Sequence, residues 1–232
     1  KEPCGIPGLC RRSEEGTLTA PPHISDEEPP SPYCEAYFKA LGGRIAYLET
    51  GRGCPYSCAF CLSGAGGGAR FFSLERAERE ILLLSRSGAR TVKFVDRTFN
   101  CNRERAYAIF SFILSQYGGL IPSGTCFHFE IAGDLLDERT LVLLESAPPG
   151  AIRLEIGVQS FNPATLEAVT RKTDTGLLRH NIRRLCACGR IIVHLDLIAG
   201  LPYEDMQSFA DGFNTAYALG PSMLQLGFLK LL

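Results

Sequence analysis

The sequence predicts an α/β fold in which six parallel strands alternate with helices and curl into an incomplete barrel, behind an irregular N-terminal arm. Three observations lead there. From Arg44 onward, short apolar runs alternate with segments of helical period. The connections between runs are long enough for a helix, and such crossovers join parallel strands with right-handed connections. On a period of two, each strand has an apolar face and a face that collects polar groups. These are Glu49, then Asp96 just past the second strand, His128 with Glu130, Glu155 with Gly157 and Gln159, His194 with Asp196, and Gln225. Polar faces in one phase across six strands imply a shared polar cavity, since buried charges need partners. A closed eight-stranded barrel fills its middle with branched apolar side chains. A wider, incomplete barrel that holds a polar ligand suits these residues better.

Residues 1–43 are rich in Pro, Gly, Ser and acids, and Pro21-Pro22 and Pro29-Pro30-Ser31-Pro32 break any period. This stretch reads as an extended arm or interdomain linker without a core. The core domain is expected over residues 44–232. Arg44 to Thr50 is a strand leading into a cysteine-rich loop, which Gly64 to Gly68 continues flexibly. Ser73 to Arg86 is a helix with Leu74, Ala77, Ile81 and Leu84 on one face, capped by Ser73 with Glu75 in the first turn. Thr91 to Val95 is the second strand, and Asn102 to Tyr117 a helix capped by Asn102. Thr125 to Ile131 is the third strand, followed by a helix from Asp137 to Ser146. Ala151 to Val158 is the fourth, followed by helices from Pro163 to Val169 and Thr175 to Ala187. Ile191 to Ile198 is the fifth, with a helix from Tyr203 to Leu219, and Met223 to Phe228 is the sixth.

At 232 residues and 45% hydrophobic content, with mean hydropathy +0.04, the chain can bury a sizeable core. A net charge of -1 and a pI near 6.5 give no overall pull toward nucleic acid or an anionic membrane. No run approaches the roughly 18 apolar residues of a membrane-spanning helix. Ten cysteines without a hydrophobic signal segment, the tightest of them at ligand spacing, point to a reducing cytosol rather than to disulfides. The chain starts without Met and stops inside the apolar run Met223 to Leu232, so it reads as a piece of a longer protein, truncated at its C-terminus.

The stretch Gly53-Cys54-Pro55-Tyr56-Ser57-Cys58-Ala59-Phe60-Cys61 places three thiols within eight residues, directly after the first strand. Cysteine-only ligation at short CxxxCxxC spacing is how iron–sulfur clusters are held. Three thiolates leave one iron of a four-iron cube without a protein ligand, and an open metal position is where a substrate or cofactor binds. The alternatives are a zinc site completed by a fourth ligand elsewhere and buried free thiols. Structural zinc usually draws on two spaced cysteine pairs, and no partner pair is evident.

With the CxxxCxxC loop after the first strand of a strand-helix barrel, residues 44–232 resemble the radical S-adenosylmethionine (SAM) superfamily. The resemblance implies a partial (β/α)6 TIM-like barrel. It also implies that Cys54, Cys58 and Cys61 ligate a 4Fe-4S cluster whose open iron chelates the amino and carboxylate groups of SAM. One electron then cleaves a sulfur–carbon bond to give a 5′-deoxyadenosyl radical, which takes hydrogen from the substrate. Phe60 is implied to lie near the adenine. The segments Leu154-Glu155-Ile156-Gly157-Val158-Gln159-Ser160-Phe161-Asn162 and Asp196-Leu197-Ile198-Ala199-Gly200-Leu201-Pro202 resemble one branch in particular. That branch contains oxygen-independent coproporphyrinogen dehydrogenase, the methylthiotransferases and many cobalamin-dependent members. It implies SAM contacts at Glu130, Gln159, Arg171 and Asp196. Glu130 and Asp196 would accept from ribose hydroxyls or the ammonium group, and Arg171 would fork onto the methionine carboxylate.

Two departures stand out. The glycine-rich segment that the family carries after its second strand is here Val95-Asp96-Arg97-Thr98-Phe99-Asn100, so Asp96 is expected to stand in as a side-chain acceptor for the SAM amino group. The arm ending in Pro30-Ser31-Pro32-Tyr33 resembles the join that follows an N-terminal cobalamin-binding domain, a domain absent from these residues.

The leading reading is therefore the core of a cobalamin-binding radical SAM methyltransferase or rearrangement catalyst of unknown substrate, with a methylthiotransferase or porphyrin-type oxidase as runner-up. A tRNA-modifying role would favour a basic face, which is not seen. The resemblance also implies oxygen sensitivity, an anaerobic setting, and a low-potential flavodoxin or ferredoxin as electron donor. A reading of another class is a non-catalytic iron–sulfur or zinc module, in which the four SAM-contact residues are unrelated charges. Cys4, Cys10 and Cys34, with His23, are candidates for a second metal site against incidental thiols. Cys186 and Cys188 cannot both face one way on a helix, which argues against an auxiliary ligand pair. Cys101 and Cys126 read as buried thiols. His128 and His194 point into the inferred cavity as proton donors, substrate contacts or satisfied interior histidines.

Overall fold

The computed structural model describes residues 6–14, 16–21, 25, 27–63 and 68–230. The chain forms two compact units, Lys1–Cys34 and Glu35–Leu232. The first holds an antiparallel hairpin, β1 (Cys10–Ser13) with β2 (Gly16–Thr19), where only extended chain was expected. Thr17 and Thr19 lie on its second strand, and β-branched residues favour that conformation. Cys4 and His23 lie outside the described residues.

In the second unit, α1 (Glu35–Leu41) precedes β3 (Ala46–Leu48), and the strand-helix alternation begins. It continues through α2 (Leu74–Ser85), β6 (Thr91–Phe94), α3 (Arg103–Gln116), β7 (Cys126–Ile131), α4 (Glu138–Glu145) and β8 (Ile152–Gln159). It ends with α5 (Pro163–Ala168), α6 (Thr175–Ala187), β9 (Ile192–Ala199), α7 (Met206–Ala218) and β10 (Met223–Phe228). Between β3 and α2 stand two further strands, β4 (Gly51–Cys54) and β5 (Gly68–Phe71). The six-stranded sheet runs in chain order, β3-β6-β7-β8-β9-β10, and all its pairs are parallel. Sequential order with a helix in every crossover is the arrangement of an incomplete barrel.

Short polar side chains start these helices where expected. Ser73 accepts from the Arg76 amide, Asn102 from Arg105, Asp137 from Thr140, Asp174 from Gly176 and Leu177. The helix expected from Tyr203 starts at Met206 instead. Asp205 caps it by accepting from Ser208, and Tyr203 sits in a left-handed conformation that ends any helix there.

On the apolar side of the sheet, Phe94, Phe99, Phe110 and Phe129 interlock, with Phe94 stacked on Phe129 at 4.2 Å between centroids. Strict alternation in β8 buries Ile152, Leu154, Ile156 and Val158 and leaves Arg153, Glu155, Gly157 and Gln159 toward the barrel interior. The outer strands depart from this pattern. In β10, Gln225 is exposed, and Glu49 beside β3 pairs with Arg52 at 2.6 Å. The shared polar face therefore belongs to the middle strands rather than to all six.

Candidate active site

The cysteine loop does not simply run on from β3. Cys54 ends β4, which pairs antiparallel with β5 so that Cys54 sits opposite Gly68 and Gly53 opposite Ala69. This hairpin was not anticipated, because Gly51-Arg52-Gly53 shows no apolar alternation and its partner lies across the loop. Gly53 makes the pairing possible: its φ is +91°, and a Cβ there would run into the Gly68 carbonyl oxygen. The far side of the loop is pinned to the barrel by the Ala59 amide donating to the Val169 carbonyl at 3.0 Å. A turn closes it, with the Cys61 amide donating to the Cys58 carbonyl at 3.0 Å.

Cys54, Cys58 and Cys61 are free thiols, and all three line one cavity of about 260 Å³ at the carboxyl ends of the strands. Phe60, Glu130, Gln159, Arg171 and Asp196 line the same cavity. Asp96 does not. Its carboxylate is buried and accepts from both the Thr50 amide and the Thr50 hydroxyl. The expected acceptor for an amino group is thus turned instead to the root of the cysteine loop. Its place in the cavity wall is taken by Arg97 and Thr98, with Thr98 Oγ1 lying 3.6 Å from Cys54 Sγ. Thr98 adopts φ +87°, a left-handed conformation costly for a β-branched residue.

The opposite wall comes from β8 and the segment after α5. A bulge shifts the β8–β9 register between Gly157 and Gln159, and Gln159 takes φ +67°. Such a bulge re-aims a side chain at a strand end. Arg171 donates through Nη2 to the Gly157 carbonyl and through Nη1 to Cys58 Sγ at 3.9 Å, tying this wall to the thiol loop. Its Nε is buried without a partner, as is Asp196 Oδ1.

Lys93 went unremarked in the sequence, although a lysine in the inward phase of a short apolar strand is itself a signal. Its Nζ lies 3.0 Å from Glu155 Oε2 and 3.4 Å from Glu130 Oε1, while Arg97 reaches Glu130 Oε2 at 3.4 Å. The His128 ring and the Lys93 ammonium hold the Glu155 carboxyl down at about 2, against the opposing effect of burial. Burial, then the charges of Glu155 and Glu130, push Asp196 up to about 7. Burial lowers His194. The floor of the cavity therefore combines a fixed anion with a carboxyl that a cationic ligand would readily ionise.

The remaining cysteines stand apart from this constellation. Cys10 and Cys34 are exposed. Cys188 Sγ donates to the Leu185 carbonyl at 3.0 Å, and burial pushes Cys186 up to about 11. Among the described residues, neither joins a cluster of metal-ligating groups. Cys101 and Cys126, expected to be buried, are only half-buried, and that burial raises both thiols. No helix among the described residues is long and apolar enough to cross a membrane.

Comparison with known proteins gives the family and the fold of the chain. The family described as the radical SAM superfamily matches residues 48–215. The 2-(S-pantetheinyl)-carbapenam-3-carboxylate methyltransferase of Streptantibioticus cattleyicolor is 27% identical, over 93% of this chain and 33% of its own length. The cobalamin-dependent radical SAM methyltransferase TokK of Streptomyces tokunonensis is 29% identical, also over 93% of this chain and 33% of its own. The chain thus spans about a third of these curated relatives. Among solved structures, the radical SAM methyltransferase TsrM from Kitasatospora setae, with cobalamin and a [4Fe-4S] cluster bound, superposes with a TM-score of 0.79. It is 18% identical, over 100% of this chain and 48% of that one, which is a likeness of fold.

Proposed function

The chain belongs to the radical SAM superfamily, and we propose that it is the core of a cobalamin-dependent radical SAM methyltransferase. The observation that carries this reading is the convergence on one cavity of three free thiols from a single loop with Glu130, Gln159, Arg171 and Asp196.

The residues fit the group that the family implies. Soft thiolates are the donors iron–sulfur clusters take, and Cys54, Cys58 and Cys61 would hold a 4Fe-4S cluster in the cavity mouth. When bound, the cluster supplies an electron to SAM and an iron position to which the amino and carboxylate groups of SAM attach. The rest is the protein's own work. Arg171, held by the Gly157 carbonyl and lining the cavity, would pair its guanidinium with a carboxylate. Glu130, braced by Lys93 and Arg97, keeps lone pairs free for ribose hydroxyls. Asp196, on the same cavity wall, offers its carboxylate to a hydroxyl or an ammonium group. Phe60 and Ile131 give the adenine an apolar wall.

The likeness to TokK, a cobalamin-dependent radical SAM methyltransferase, and to TsrM with cobalamin bound supports methyl transfer with cobalamin held by protein outside these 232 residues. The substrate is a further partner, and a low-potential flavodoxin or ferredoxin is the electron donor we assign. The reducing cytosol suits both the thiols and such a donor.

The test uses the full-length protein, reconstituted without oxygen with iron, sulfide and cobalamin, then given SAM and a strong reductant. S-adenosylhomocysteine marks methyl transfer, and 5′-deoxyadenosine marks reductive cleavage. Neither product, with the cluster intact, would overturn the assignment and favour a non-catalytic module.

A further inference from the structure

We propose that His128, Glu155 and His194 form a second metal site, for a single divalent ion of the zinc or ferrous class, beneath the SAM cavity and separate from the thiol centre. One nitrogen from each ring and one Glu155 carboxylate oxygen lie within 4.8 Å of one another. They come from three adjacent strands, β7, β8 and β9, with Glu155 in register with His194. Only Glu155 belongs to the wall of the cavity above. The ion would thus sit deeper, on the side of the strands' amino ends.

The second observation is what these atoms lack. Both histidines are 7% exposed, and the Nε2 of each is buried without a hydrogen-bond partner. His128 Nε2 nevertheless lies 2.8 Å from Glu155 Oε2, and His194 Nε2 lies 3.0 Å from Asp196 Oδ1, which is orphaned too. At those distances either a proton on each Nε2 or a bound cation must lie between nitrogen and oxygen, and one cation between the two rings and Glu155 is the arrangement proposed. Two imidazoles with one carboxylate suit zinc, iron, cobalt or nickel rather than magnesium or calcium.

The competing cations do not remove the site. Lys93 Nζ, 3.0 Å from Glu155 Oε2, is the group an ion would displace, and it has Glu130 Oε1 at 3.4 Å to move to. Arg153 stands in register with His128 and adds positive charge to the floor.

The test is independent of the cluster. In the full-length protein with Cys54, Cys58 and Cys61 all changed to Ala, dialysis against micromolar zinc should leave one equivalent bound. X-ray absorption at the zinc edge should show imidazole scattering and no sulfur ligand. His194→Gln should weaken binding by about tenfold or more, with a circular dichroism spectrum like that of its parent. If His194→Gln fails to fold, the absorption spectrum of the parent decides. Less than half an equivalent of zinc, a sulfur-ligated zinc from the other cysteines, or undiminished binding in a folded His194→Gln variant would each overturn the proposal.

Discussion

Asp96 accepts two hydrogen bonds from Thr50, from the amide at 2.8 Å and from the hydroxyl at 2.7 Å, and so anchors the end of β3 to the strand beside it. Burial pushes its carboxyl up to about 6, against the lowering effect of those bonds. An acid whose pKa is higher folded than unfolded holds its proton longer in the folded state. Stability from this group is therefore complete below about 4 and declines as pH rises toward about 6. Asp96→Asn removes the buried charge while keeping an acceptor for the amide. Its melting temperature should gain on that of the wild type as pH rises across that window, by up to about 3 kcal/mol in equivalent stability. A constant difference between pH 4 and 7 would show that Asp96 does not titrate in this range.

Gly53→Ala tests the hairpin that carries Cys54. At φ +91° a Cβ meets the Gly68 carbonyl oxygen, so the β4–β5 pairing must open. The expected cost is about 1–3 kcal/mol, together with a loss of iron retained after reconstitution. Gly68→Ala is the control: its φ of +115° is also strained, but nothing lies within 4 Å of the new methyl group. It should keep more iron than Gly53→Ala, and equal retention would show that the collision is unimportant.

Gly157→Ala tests the opposite wall. A methyl group there strikes the Gln159 amide and lies 3.6 Å from Arg171 Nη2. Arg171 is at an ordinary contact distance, so only Gln159 is displaced; if Gln159 contacts SAM, binding should weaken by about tenfold, since a hydrogen bond to a charged group contributes about 1.5–3 kcal/mol. Iron content should be unchanged, because no thiol moves. Equal SAM affinity by equilibrium dialysis would remove Gln159 from the binding wall.

Much of this could be read from the chain alone. Strand-helix alternation is a strong signal in a parallel sheet, where each helix must cover an apolar strand face, and caps such as Ser73, Asn102 and Asp137 mark where helices begin. The thiol loop was evident from spacing, and the resemblance named the residues that now line one cavity with it. What was hidden depends on contacts distant in sequence. The turning of Asp96 toward Thr50 follows from a backbone path that no period reveals. Lys93 was passed over because the second strand looked apolar, and its partners Glu130 and Glu155 lie on two other strands. The exposure of Gln225 reflects its place on the edge strand, which alternation cannot distinguish from a central one.

The central claim is that three thiols hold a cluster whose free iron meets SAM within reach of Arg171. Electron paramagnetic resonance of the dithionite-reduced, full-length protein tests it most directly. Added SAM should shift the cluster signal, and it should do so at higher SAM concentration in Arg171→Lys, whose single ammonium cannot reproduce a guanidinium fork. A reduced cluster whose spectrum is unaltered by saturating SAM would contradict the account.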